Sequence, residues 1–325
     1  MKRILLTLTI FFHSLISISQ VSNEDLKKVD KIIYSYHSIS SIEELAKRID
    51  YDFTSEIEKA RAIYTWLALN INYTKFNTNL IYIPEVFVVF DNNDFERRLK
   101  INKNKVTNKA FITKKGVCKE YAYLFEKICN LINIKNELIF GYTKTSNPQI
   151  GIIPSQKNHV WNAVYIEDKW ILIDVTYGSG YLYKDIWQRH FNDSYFNISK
   201  ENLKLTHYPS DKYWSTFIKQ NSLIDFCAQP IISSGFTKNN ISTFSPKNGE
   251  IKIDNNKKIK LQFKDLPYTT KVYYKYENNK YITKANKSNY NSITSIKLPK
   301  PSKNSSLKIY FDNELALEYN VVVEK

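Results

Sequence analysis

Apolar positions in this chain follow two rhythms. From Asn23 to about Ser234 they recur mostly at helical spacing, broken by a few short alternating runs; after that, alternation takes over. The first helix is expected from Asn23 to His37, with Leu26, Val29, Ile33 and Tyr36 along one face. Ser41 with Glu44, and Ser55 with Glu58, form the S-x-x-E pattern in which each end of the motif satisfies a free backbone N–H of the other. They open a second helix through Ile49 and a third, EIEKARAIYTWLALNI, in which Ile57, Ala60, Ile63, Tyr64, Leu67 and Asn70 keep the helical period and Trp66 is expected in the core. Gly116 precedes a further strong helix with Cys118, Ala122, Phe125, Cys129 and Ile132 on one face. Three strands are expected after it: ELIFGYT, HVWNAVYI and KWILIDVTY. Between Tyr73 and Thr113 there is no clean period. IYIPEVFVVF contains Pro84, which argues against a central strand, and DNNDFERRLKINKNKVTNK is polar. That stretch is expected to cover or border a cleft.

From Gly235 onward, IKIDNNKKIKLQF, KVYYKYENNKYIT, SITSIKLP, SLKIYFDN and LALEYNVVVE alternate between Asn-, Lys- and Pro-containing breaks. This pattern predicts an all-β, sandwich-like domain. It holds no cysteine or histidine, so its default role is binding, to a cell-surface or polymer partner. The fold class is therefore α+β. Residues 1–19 read as a signal peptide, 20–234 as a core of helices packed on a small antiparallel sheet with a C-terminal extension, and 235–325 as the β domain.

The leader reading rests on MKRILLTLTIFFHSLISISQ, in which Lys2 and Arg3 precede a short apolar run that ends at small residues near Ser17 and Ser19. Cleavage after Ser19 and a secreted or periplasmic location follow. No later segment is apolar enough to span a bilayer. The formal net charge is +15, but the lysines are scattered, and no basic run is interleaved with aromatics as a nucleic-acid groove requires. Three cysteines are an odd number for an exported chain. A Cys129–Cys227 bridge stays open, with buried free thiols preferred.

The chemistry concentrates in GVCKEYAYLFEKIC and NHVWNAVYIEDKWILIDVTYG. Cys118 stands at a helix start, where free N–H groups and the helix dipole favour a thiolate. By position alone it is as readily a small buried hydrophobe as a nucleophile. A two-residue turn at Glu167–Asp168 sets Tyr165 opposite Trp170 and Trp161 opposite Asp174. His159 and Asp174 then become diagonal neighbours on one hairpin face, about 7–8 Å apart at Cα. A cysteine, a base and a carboxylate that orients the base are the parts of a thiol-dependent acyl transfer. His190 and His207 stand alone and are expected on the surface or in loops. No cluster has metal-ligand spacing, and seven glycines include no phosphate-binding loop, so no cofactor is expected.

These two stretches, with EKARAIYTWLALNINYT upstream, resemble the transglutaminase-like superfamily, whose core is a papain-like cysteine-triad fold. YFNISKENLKLTHYPSDKYWSTF resembles the extension of its kyphoscoliosis-peptidase-like members. The resemblance covers about Leu45 to Phe217. It implies that Cys118, His159 and Asp174 are the triad but leaves the reaction open; a protein or peptide amide is the expected substrate, with hydrolysis favoured over transfer because water is always present. No second oxyanion donor stands out. The alternative is an inactive scaffold that binds a polypeptide or wall polymer.

Overall fold

A computed structural model describes residues 22–74, 92–183, 186–239, 241–254 and 257–324. The expected leader and the IYIPEVFVVF run lie outside these residues. Helices α1 (Asn23–Tyr34), α2 (Ile42–Asp52) and α3 (Glu56–Asn70) begin where the sequence places them. The Ser55–Glu58 box is complete. At α2 only half of it forms: Ser41 Oγ accepts the Glu44 N–H at 3.0 Å, while the Glu44 carboxylate accepts from the N–H and hydroxyl of Ser40. Helix α3 is buried from Ala60 to Ala68. A charged group goes down with it. Arg61 donates Nε and Nη2 to Asp30 of α1 at 2.9 and 2.7 Å, and Thr65 donates to the same carboxylate at 2.6 Å.

Strand β1 (Asn72–Tyr73) pairs in parallel with β2 (Lys115–Gly116). Between them, residues expected to be irregular form helix α4 (Asn92–Thr113). Its hydrophobic period is weak because it docks chiefly through its last turns, where Ala110 and Phe111 are buried and Phe111 stacks on Trp66 at 5.3 Å. Helix α5 (Cys118–Leu131) follows directly from β2.

Strands β3 (Asn136–Thr143), β4 (His159–Ile166) and β5 (Lys169–Ile173) form an antiparallel sheet. Glu167 and Asp168 both take positive φ, the geometry of a two-residue hairpin turn, and the register sets Tyr165 against Trp170 and Ala163 against Leu172. The third strand ends earlier than expected. Asp174 caps a short helix, α6 (Val175–Ser179), by accepting the Tyr177 N–H at 2.9 Å; the local bond wins over a further rung of the ladder.

A small hairpin, β6 (Gly180–Tyr183) and β7 (Ile186–Arg189), comes next, then α7 (Lys200–Thr206), β8 (His207–Pro209), α8 (Lys212–Phe217) and α9 (Leu223–Ala228). Strand β8 completes the core sheet in the order β5-β4-β3-β8. The expected helices on a small antiparallel sheet are thus present.

Strand β9 (Ile231–Ile232) and helix α10 (Ser234–Thr237) lead into the strand-rich region. One sheet there has the order β10-β12-β16-β15, from β10 (Thr243–Ser245), β12 (Ile259–Lys264), β15 (Lys287–Tyr290) and β16 (Ile293–Leu298). The other has β11-β18-β17-β13-β14, from β11 (Glu250–Ile253), β13 (Val272–Tyr276), β14 (Thr283–Lys284), β17 (Ser305–Phe311) and β18 (Glu314–Val323), with β9 also on β18. Leu261, Phe263, Ile296, Leu307, Ile309 and Leu317 fill a core of their own between them. Asn147 and Asn320 exchange hydrogen bonds of 2.9 and 3.2 Å across the junction with the first region. No helix among the described residues is long and apolar enough to cross a membrane.

Candidate active site

Cys118 is the first residue of α5. Val117 before it has no side-chain oxygen to offer, and the helix start is held instead by Glu120, which accepts the Val117 N–H at 2.8 Å. Asn162 of β4 donates to the Ala122 carbonyl of α5 at 3.1 Å, fastening the strand that begins with His159 to the helix that begins with Cys118. Cys118 packs with Ala122 and Val160 in a small cluster bordered by Leu138 and Phe140. Cys129, on the same helix, belongs to the main core, and its thiol is pushed well up by burial. All three cysteines are free and buried.

His159 and Asp174 meet: Nε2 of the ring donates to Oδ2 of the carboxylate at 2.5 Å. Asp174 reaches this position from just past the strand end, so its capping bond and its histidine bond use different oxygens. Both residues are almost fully buried. Burial opposes charge on each, and their mutual attraction overcomes it. His159 is pushed up to about 10 against its desolvation, first by the Asp174 charge and hydrogen bond and then by a hydrogen bond with Cys118. Asp174 is held well below the usual carboxylate range, its desolvation outweighed by both histidines that it faces. With Nε2 committed to Asp174, Nδ1 is the ring nitrogen left for Cys118.

His207 overturns its expected surface or loop placement. It is 0% exposed, and its Nε2 donates to the same Asp174 Oδ2 at 2.9 Å. Burial lowers its pKa, against the pull of Asp174, so the ring is neutral. The tautomer with the proton on Nε2 then accepts the Thr206 hydroxyl at Nδ1, 2.7 Å away. Rings of Trp161 and Tyr177 lie 5.0 Å from it, and Tyr177 stands edge-on to His159 at 5.2 Å. His190 is exposed, as its sequence context implies. The only hint of His207 in the sequence is Gly141, an isolated glycine inside a strand, which marks a close backbone approach.

His159, Asp174 and His207 are also the group among the described residues whose ligand atoms, all within 4.8 Å of one another, could hold a metal ion. The sequence spacing gives no sign of this grouping. An ion there would displace both ring protons and take His159 out of proton transfer.

Tyr73 is a second residue that the sequence does not single out. It lies on β1, beside the two residues that lead to Cys118. Its hydroxyl is pushed up to about 12 by burial and then by the charge of Cys118, which places it within electrostatic reach of the thiol.

The profile of the transglutaminase-like superfamily matches residues 43–175. Kyphoscoliosis peptidase of Homo sapiens is 27% identical over 240 residues, 72% of this chain but 33% of that protein, so the chain spans about a third of its relative. Lim and transglutaminase domain protein ltd-1 of Caenorhabditis elegans is 23% identical over 225 residues, 65% of this chain and 28% of that protein. A solved structure described as a TGase overlays with a TM-score of 0.26 and 16% identity, over 56% of this chain and 40% of that one, too loosely to bear on function. Residues 43–175, which hold the helix carrying Cys118 and the antiparallel hairpin, thus form a transglutaminase-like domain.

Proposed function

We propose that this protein is a cysteine-dependent enzyme acting on amide bonds of proteins or peptides. The observation that carries the reading is the 2.5 Å bond from His159 Nε2 to Asp174, which leaves Nδ1 for a cysteine at the start of a helix. His159 takes the thiol proton, and the Cys118 sulfur attacks the carbonyl carbon. The oxyanion that forms is met by the Cys118 N–H and the Tyr73 hydroxyl. Collapse breaks the C–N bond, with His159 protonating the leaving amine, and gives a thioester. Water, deprotonated by His159, then attacks the thioester carbon; the C–S bond breaks, the Cys118 sulfur takes the proton back from His159, and the acid product leaves. Hydrolysis is favoured over transfer to an amine because water is always present; the name of the human relative, a peptidase, points the same way. A cavity of about 500 Å³ lined by Glu137, Leu138, Phe140, Lys157, Tyr213 and Trp214 offers room for a substrate side chain, and Leu138 and Phe140 also border the Cys118 cluster. The leader-like first 19 residues support work outside the cytoplasm.

The test is a mass-spectrometric comparison of peptide mixtures treated with wild type and with Cys118→Ala, alongside labelling by a thiol-directed amide mimic. New termini that depend on Cys118 indicate hydrolysis, and new cross-links indicate transfer. Equal labelling of the two proteins sinks the reading. A second reading, a polypeptide-binding scaffold, has one observation behind it: Cys118 is only 1% exposed. Peptide capture that is unchanged in Cys118→Ala, without turnover, favours it.

A further inference from the structure

We propose that His207 is a positioning residue of this site, contributed by the segment that follows the family-matched core, and that it acts on His159 through the carboxylate they share. The proposal rests on the functional reading above and deepens it. Its basis is geometric. His159 and His207 donate to one oxygen, Asp174 Oδ2, at 2.5 and 2.9 Å, while Oδ1 is taken by the Tyr177 N–H at 2.9 Å. The carboxylate therefore has three donors in fixed directions and no freedom to swing.

His207 is itself held from every side. Thr206 donates to its Nδ1 at 2.7 Å, Gln220 Nε2 donates to its carbonyl at 2.7 Å, and its backbone pairs with Thr143 of β3. The ionised carboxylate fixes the tautomer: Asp174 Oδ2 can only accept, so the proton of the neutral ring sits on Nε2 and Nδ1 is left to accept from the Thr206 hydroxyl. A neutral donor is what a buried carboxylate next to a cationic partner needs, since a second cation there would compete with His159. The matched core ends at residue 175, so its own residues supply His159 and Asp174 but not this donor. The extension that carries α7 and β8 is thus part of the site.

His207→Phe keeps an aromatic ring in the cage but removes the donor. His207→Gln keeps an N–H near the Nε2 position. Thr206→Val releases Nδ1 with little change of volume. Two readouts are followed: the titration of the His159 ring by NMR in a Cys118→Ala background, and the pH profile of iodoacetamide alkylation at Cys118 in the full chain. In His207→Phe, the acid limb of both profiles moves to higher pH, because Asp174 loses a donor to its charged form. Alkylation at neutral pH falls roughly 10- to 100-fold, as expected when an aligned group is released. Thr206→Val shifts both profiles in the same direction by less, and His207→Gln restores most of the wild-type behaviour. If folded His207→Phe leaves the His159 titration where it was, or if Gln and Phe behave alike, the proposal is overturned. Because the NMR readout needs no reactive cysteine, an unreactive Cys118 tells against the enzyme reading separately.

Discussion

A Cβ placed on Gly141 would lie 2.1 Å from the carbonyl oxygen of Tyr208. The same Cβ would come within 2.8 Å of the Trp161 ring. Residue 141 therefore has no room for a side chain if β8 is to lie against β3. Since β8 begins with His207, this one absent methyl decides whether the second histidine reaches Asp174.

Gly141→Ala is expected to push β8 outward and to destabilise the fold by roughly 1–3 kcal/mol, the usual cost of overfilling a packed site. Chemical denaturation measures the loss. The informative companion is the His159 titration, which should move as it does in His207→Phe. A stability loss with an unmoved titration would show that β8 is displaced without disturbing the carboxylate.

Asp30→Ala is expected to cost about 3–5 kcal/mol, because it strands Arg61, 3% exposed, without its bidentate partner. The Tyr64, Phe191 and Phe196 rings around that guanidinium offer only cation–π contacts in exchange. The double change Asp30→Leu with Arg61→Met should recover most of the loss. A double variant as unstable as Asp30→Ala alone would contradict this account.

Tyr73→Phe is expected to lower kcat by about 10²- to 10³-fold with KM and melting temperature nearly unchanged, the signature of a lost oxyanion donor. Kinetics on any peptide identified by the mass-spectrometric screen provide the check. An equal fall in kcat/KM caused only by KM would instead assign Tyr73 to substrate binding.

The stability that the His159–Asp174 pair contributes should depend on pH in a defined way. The folded-state pKa of His159 is raised from 6.5 to about 10, so its contribution is fully present below pH 6.5 and fades as pH rises toward about 10. Asp174 is depressed below 3.8, so its contribution is present above that value and fades as pH falls further. The melting-temperature gap between wild type and His159→Gln should thus be widest between pH 3.8 and 6.5 and close at high pH. A gap that stays constant to pH 10 would mean that packing, not charge, stabilises the pair.

Much of this was legible where the controlling interaction is local. The Ser55–Glu58 box, the start of α5 after Gly116 and the Glu167–Asp168 turn each depend on residues within a few positions of one another. The turn length then fixed the register along β4 and β5 by simple alternation. Helix α4 was missed because its face is apolar only near Phe111, where it docks. The early end of β5 was missed because a capping bond competes with the ladder, and composition alone does not rank the two. His207 was missed for a different reason: its partner is 33 residues away, and an isolated histidine between a short helix and a proline carries no period.

By itself, then, the sequence determined the succession of helices and strands, the pairing of the hairpin and the residues with chemistry to offer, because caps, turns and periodicity act over a few residues. Tertiary structure alone decided that His159 and His207 would share one oxygen of Asp174, that Tyr73 would lie near Cys118, and that Asp30 would be buried with Arg61. Those outcomes depend on how closely separate elements approach, and a single glycine against a distant carbonyl sets that distance without leaving a pattern along the chain.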